Sequence, residues 1–75
     1  MEEYVIKNYR EFLEENELKN TIENIDLYIS GLYYDIMDDL DLERENFGVP
    51  SDLTNNSAEK YIEEKIKEIL MKEVH

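Results

Sequence analysis

The chain has 75 residues, 20 acids against 8 bases, a formal charge of −12 and no cysteine. This length makes one domain, near the lower limit at which an apolar core is enough by itself, and without cysteine neither a disulfide nor a thiolate metal site can support it. So acidic a chain repels nucleic acid and anionic membrane and is steered towards basic surfaces, which disfavours direct nucleic-acid binding.

In the first segment Val5, Tyr9, Phe12 and Leu13 follow i, i+4, i+7, i+8 and predict a helix over about residues 2 to 15. Glu2 and Glu3 fall in its first turn, where the helix dipole favours anions, and Asn16 is a natural end. Leu18, Ile22, Ile25, Ile29, Leu32, Tyr33, Ile36 and Leu40 then share one face about 100° wide. Ser30-Gly31 invites a break, since Gly costs roughly 1 kcal/mol inside a helix. Because the apolar phase runs on across it, the pattern predicts one long helix over 18 to 45, bent at Gly31. Asn46, Gly48 and Pro50 stop that helix, and residues 46 to 56 form a connection whose Phe47, Val49 and Leu53 can pack on the core. Asn56 with Glu59 reads as a capping box, with Ser57 as the alternative cap, ahead of a last helix over 57 to 73. Its buried stripe is Ile62, Ile66, Ile69 and Leu70, with Tyr61 and Met71 beside it. The expected fold is all-α: a small three-helix domain with one long central helix.

Nothing here approaches the roughly 18 consecutive apolar residues of a membrane span. The N-terminus MEEYVIKNYR lacks the layout of a signal peptide, so the expected location is cytoplasmic, with no membrane partner. The one His, His75, makes a His-based metal site or general base improbable, and no cofactor is expected.

The charge is unevenly placed. Residues 1 to 57 carry fifteen acids and four bases, whereas residues 58 to 75 carry five acids and four lysines. The stretch YYDIMDDLDLERE, residues 33 to 45, holds six acids: Asp35, Asp38, Asp39, Asp41, Glu43 and Glu45. On a continuous helix Asp35, Asp38, Asp41 and Glu45 project within roughly 120° of arc, away from the Ile/Leu face, while Asp39 and Glu43 flank the buried stripe. Like charges at i, i+3 and i+4 lie about 5–6 Å apart and cost a few tenths of a kcal/mol per pair. A solvated face that merely keeps a protein soluble mixes signs, as the last helix does with Lys60, Lys65, Lys67 and Lys72 among its glutamates. The middle segment has only Arg44, so its carboxylates suit a basic partner, offering the closely spaced negative charge that a duplex offers to Lys/Arg-lined grooves.

Calcium binding is the rival use of these acids, and it fails. An EF-hand loop started at Asp39 places Arg44 at the position that needs Gly and Pro50 at the position that needs Glu. Paired-carboxylate catalysis has no support beyond what any acidic helix supplies, and the chain is not expected to be an enzyme. On the side opposite the core stripe, Leu27, Gly31 and Tyr34 stand at i, i+4, i+7, where a glycine admits another backbone and an aromatic supplies contact area. Two apolar faces on one helix predict a second copy there, as a two-fold homodimer that doubles the negative surface.

In length, acidity, lack of cysteine and helical character the chain resembles the small acidic phage-encoded DNA mimics, nearest in kind to the staphylococcal-phage inhibitors of the bacterial DNA sliding clamp. That resemblance implies an all-α dimer lodged in the basic channel through which the clamp encircles DNA, stopping replication. YYDIMDDLDLERE is the stretch that maps onto such a channel. A Gln-led peptide ending in paired hydrophobics, the type that binds the clamp's outer pocket, is absent, so any clamp binding goes through charge and shape. The alternatives are an anti-CRISPR protein blocking a nuclease channel, an immunity protein or antitoxin against a basic nuclease, and a plain dimerisation module.

Overall fold

The structure is a computed structural model that describes residues 1 to 74. Five α-helices and no strand are found among the described residues: α1 (Glu2–Glu15), α2 (Ile22–Ser30), α3 (Tyr33–Asp38), α4 (Leu40–Asn46) and α5 (Asn55–Met71). The class is all-α, as the apolar spacing predicts.

The first helix buries Val5, Tyr9 and Leu13 and carries Glu2 and Glu3 in its first turn. Its end is a tight reversal beyond Asn16. The Leu18 amide donates to the Leu13 carbonyl (2.9 Å) and the Glu17 amide to the Glu14 carbonyl (3.3 Å). This is the Schellman pattern, and it forces Glu17 into the left-handed region, φ 53°, where Gly is the usual occupant.

The expected helix over 18 to 45 is three helices, and each break has a local cause. Residues 18 to 21 are drawn out of helical geometry by side-chain bonds. Asn20 accepts from the Tyr9 hydroxyl (2.9 Å) and donates to the Glu73 carbonyl (3.0 Å). Thr21 caps α2 by accepting from the Asn24 amide at 3.2 Å. At the far end of α2 the Gly31 and Leu32 amides donate three residues back, to the carbonyls of Tyr28 (3.1 Å) and Ile29 (2.9 Å). That is a 3₁₀ turn. The Ser30 hydroxyl, donating to the Leu27 carbonyl at 2.7 Å, bends the same place.

The third break is at Asp39, φ −122° and ψ 39°. A continuous helix would set Asp35, Asp38, Asp39, Asp41, Glu43 and Glu45 against one another at i, i+3 and i+4. The break restarts the chain so that Asp41 and Glu43 stand in the first turn of α4, where the helix dipole favours anions. Of the expected stripe, Ile25, Ile29, Ile36 and Leu40 are buried and Leu18 and Leu32 partly so, but Ile22 and Tyr33 are exposed.

The stop beyond Asn46 is where the sequence places it. Gly48, φ 61°, sits at the left-handed position of a second Schellman turn, with Val49 N–H bonded to the Arg44 carbonyl (3.0 Å) and Gly48 N–H to that of Glu45 (3.3 Å). The cap of α5 is neither Asn56 nor Ser57 but Thr54, whose hydroxyl accepts from the Ser57 amide at 3.2 Å. The last helix therefore begins two residues earlier than expected and ends at Met71.

The central element is also not the expected one. α5, 17 residues long, packs against all four other helices. Its Ala58, Ile62, Ile66 and Leu70 meet Val5, Tyr9 and Leu13 of α1, Ile25 and Ile29 of α2, Ile36 of α3 and Leu40 of α4 in one core.

Candidate functional site

Helices α1 and α3 both rest on α5, yet make no substantial contact with each other. Between them opens a cleft of about 490 Å³. Tyr4, Asn8, Glu11, Phe12 and Glu15 form the α1 wall, and Asp35, Asp38, Asp39 and Glu43 stand on the α3–α4 side. Val5, Tyr28, Leu32, Ile36, Phe47 and Ile66 complete the lining. The Tyr28 ring is tilted against Tyr9 (centroids 5.4 Å apart) and Phe12 (5.1 Å). Burial first, then the neighbouring Tyr4, then the negative charge of Asp35 and Glu11, raises the Tyr28 hydroxyl above its ordinary pKa. The lining thus combines six carboxylates with an aromatic and aliphatic floor and includes no Lys or Arg.

The six acids of residues 33 to 45 are divided by this arrangement. Asp35, Asp38, Asp39 and Glu43 line the cleft; Asp41 and Glu45, both exposed, do not. Glu11 and Glu15 join the first four from α1, where the sequence pattern points to the core stripe and the acids of the first turn but not to these two. Their signal is the second face of α1, where positions 4, 8, 11, 12 and 15 repeat at helical spacing.

The carboxylates stay unneutralised. Among the described residues the ion pairs are Arg10–Glu73 (2.8 Å), Lys67–Asp26 (2.9 Å), Lys72–Glu2 (3.5 Å) and Lys65–Glu68 (3.8 Å). None involves the cleft acids, Asp41 or Glu45. Arg44, the one base within reach in sequence, points its guanidinium elsewhere. It donates to the Leu53 carbonyl (2.9 Å) and the Asn55 side chain (3.1 Å), fastening the loop before α5.

Leu27, Gly31 and Tyr34 are all exposed, Leu27 at 54% and Tyr34 at 77%. Tyr34 lies edge-on to Tyr33, with ring centroids 5.3 Å apart. A Cβ at residue 31 would touch only the Tyr28 carbonyl, at 3.5 Å. Among the described residues no group of three or more His, Cys, Asp or Glu side chains is arranged to hold a metal ion, and no helix is long and apolar enough to cross a membrane. Compared with known protein families, characterised proteins and solved structures, the chain finds no match in any of the three.

Proposed function

We propose that this protein is an acidic inhibitor that imitates nucleic acid and occupies the basic DNA-binding channel of a DNA-handling protein, the bacterial sliding clamp being the favoured target. What supports the reading is the unneutralised state of the acids. Asp35, Asp38, Asp39 and Asp41 on α3–α4 are exposed without a cationic partner, although the same chain pairs or mixes its charges on α5. Exposed like charge costs stability in the free protein, and a basic channel relieves it. The break at Asp39 gives the charge two short rigid supports in place of one long rod. The interaction takes place in the cytoplasm of the target bacterium, needs no cofactor, and blocks loading of DNA rather than any chemical step.

A second copy on the Leu27/Gly31/Tyr34 face belongs to the same reading, since a two-fold dimer presents its acids symmetrically. The exposed apolar side chains of that face support it. Gly31→Leu is the test, because Gly31 has φ −88° and a Cβ placed there makes only ordinary van der Waals contact. The variant is expected to fold and to lose self-association in light scattering; a dimer of unchanged strength contradicts this interface.

For the function itself, the Asp35→Asn, Asp38→Asn, Asp41→Asn triple variant removes three charges from exposed positions. It is expected to keep its helical circular dichroism and to bind a purified sliding clamp at least about tenfold more weakly, with a shallower salt dependence. Unchanged affinity would sink mimicry through these acids.

A further inference from the structure

We infer that the cleft between α1 and α3–α4 is the seat of a basic amphipathic polypeptide segment, gripped by an apolar anchor as well as by charge. This rests on the reading of the chain as a binder of basic proteins and adds what that reading lacks, a place where the partner's apolar side chains go.

Three features argue for such an occupant. The cleft has carboxylates on both sides: Glu11 and Glu15 on one, Asp35, Asp38, Asp39 and Glu43 on the other. A duplex, a nucleotide or an anionic membrane is repelled from it. Its floor is apolar and aromatic, which a purely electrostatic surface does not require. Phe12 and Tyr28 are only partly buried although they touch the core, so area remains for an incoming aliphatic or aromatic group. Finally, the α1 wall runs from Tyr4 to Glu15, about 16 Å at the helical rise. That length suits about three turns of a helix, with Lys or Arg reaching both rims and one or two apolar residues facing Tyr28.

A second copy of this chain fits poorly. Its most basic element, α5, belongs to a stretch that still carries five acids for four lysines. The partner has to bring the positive charge itself.

The test uses the intact, isotope-labelled protein and two synthetic lysine-rich helical peptides of equal charge. One carries a Leu/Phe stripe at i, i+4, and the other carries Ser at those positions. The striped peptide is expected to bind at least about tenfold more tightly, because burying a single such side chain is sufficient for that ratio. Amide shifts are expected to centre on Asn8, Glu11, Phe12, Tyr28 and Asp35. The Glu11→Gln, Glu15→Gln variant, altered only at exposed positions of α1, should weaken it, whereas Asp52→Asn, Glu64→Gln, at exposed positions outside the cleft, should leave the ratio between the peptides unchanged.

Equal affinity for the two peptides, or shifts confined to the surroundings of Asp41 and Glu45, overturns the cleft as an anchored site. So do the same amide shifts appearing on concentration alone, which would make a second copy the occupant. Peptide failure with clamp binding intact overturns the cleft and leaves mimicry standing. Clamp failure with striped-peptide binding intact removes the clamp and leaves the cleft.

Discussion

Glu59 is buried, only 2% exposed, and its Oε2 atom has no hydrogen-bond partner. Burial first, then the hydrogen bond and charge of Glu63, push its carboxyl from an ordinary 4.5 up to about 7, against a smaller opposing pull from Lys60. Between those two pH values the unfolded chain releases a proton that the folded chain keeps. The contribution of Glu59 to stability is therefore intact below about pH 4.5 and is lost as the pH rises through about 7. Glu59→Gln keeps a donor for Glu63 and cannot ionise. It is expected to stabilise the fold by about 1–3 kcal/mol at pH 8 and to change little at pH 4, read from urea unfolding at both. Equal effects at the two pH values would show that ionisation is not the cause. Glu17 is a second residue at odds with its place, holding a left-handed φ of 53° at the end of α1. Glu17→Gly is expected to stabilise by about 0.5–1 kcal/mol, and a destabilised variant would mean that the Glu side chain holds this turn in some other way.

At the scale of elements, α1 and the stop at Gly48 were legible because each rests on local chemistry: amphipathic spacing, a left-handed glycine and a following proline. Helix α5 was legible in its stripe but not in its cap, since Thr54, Asn56 and Ser57 are all competent caps and the loop geometry set by Arg44 decides among them. Thr54→Ala is expected to cost about 1 kcal/mol in thermal or urea unfolding, and Asn56→Ala only a few tenths. The reverse order would return the cap to the position read from the sequence. The division of residues 18 to 45 was hidden for a different reason. One 3₁₀ turn at Gly31 advances about 120° per residue instead of 100°, a shift of about 20° per residue that a stripe about 100° wide absorbs, so Ile29 and Ile36 both stay in the core. Periodicity reports which residues are buried and is nearly blind to a short change of helical pitch. Ser30-Gly31 was the trace the sequence did carry, and the exposure of Ile22 and Tyr33, apolar residues in phase, shows what the breaks cost the stripe.

At the scale of the molecule, the all-α class and the excess of negative charge were both legible, but the cleft was not. It is made by α1 and α3 leaning on α5 from two sides, and no sequence pattern states the gap between helices distant in the chain. Asp41 and Glu45 looked equivalent to Asp35 and Asp38 on a continuous helix; the turn at Asp39 sends them to another surface. The surface that results is acidic on both rims of an apolar floor, and the chain carries a formal charge of −12 with no base in that lining. The central claim, that this charge exists to meet a DNA-binding protein, is tested most directly by passing bacterial lysate over the immobilised protein and eluting in two ways, with a salt gradient and with duplex DNA. The account predicts a DNA-handling protein that leaves at moderate salt and is displaced by the duplex, because the duplex competes for the same basic channel. A partner that resists salt and ignores DNA, or no partner but a second copy of the chain, would contradict it.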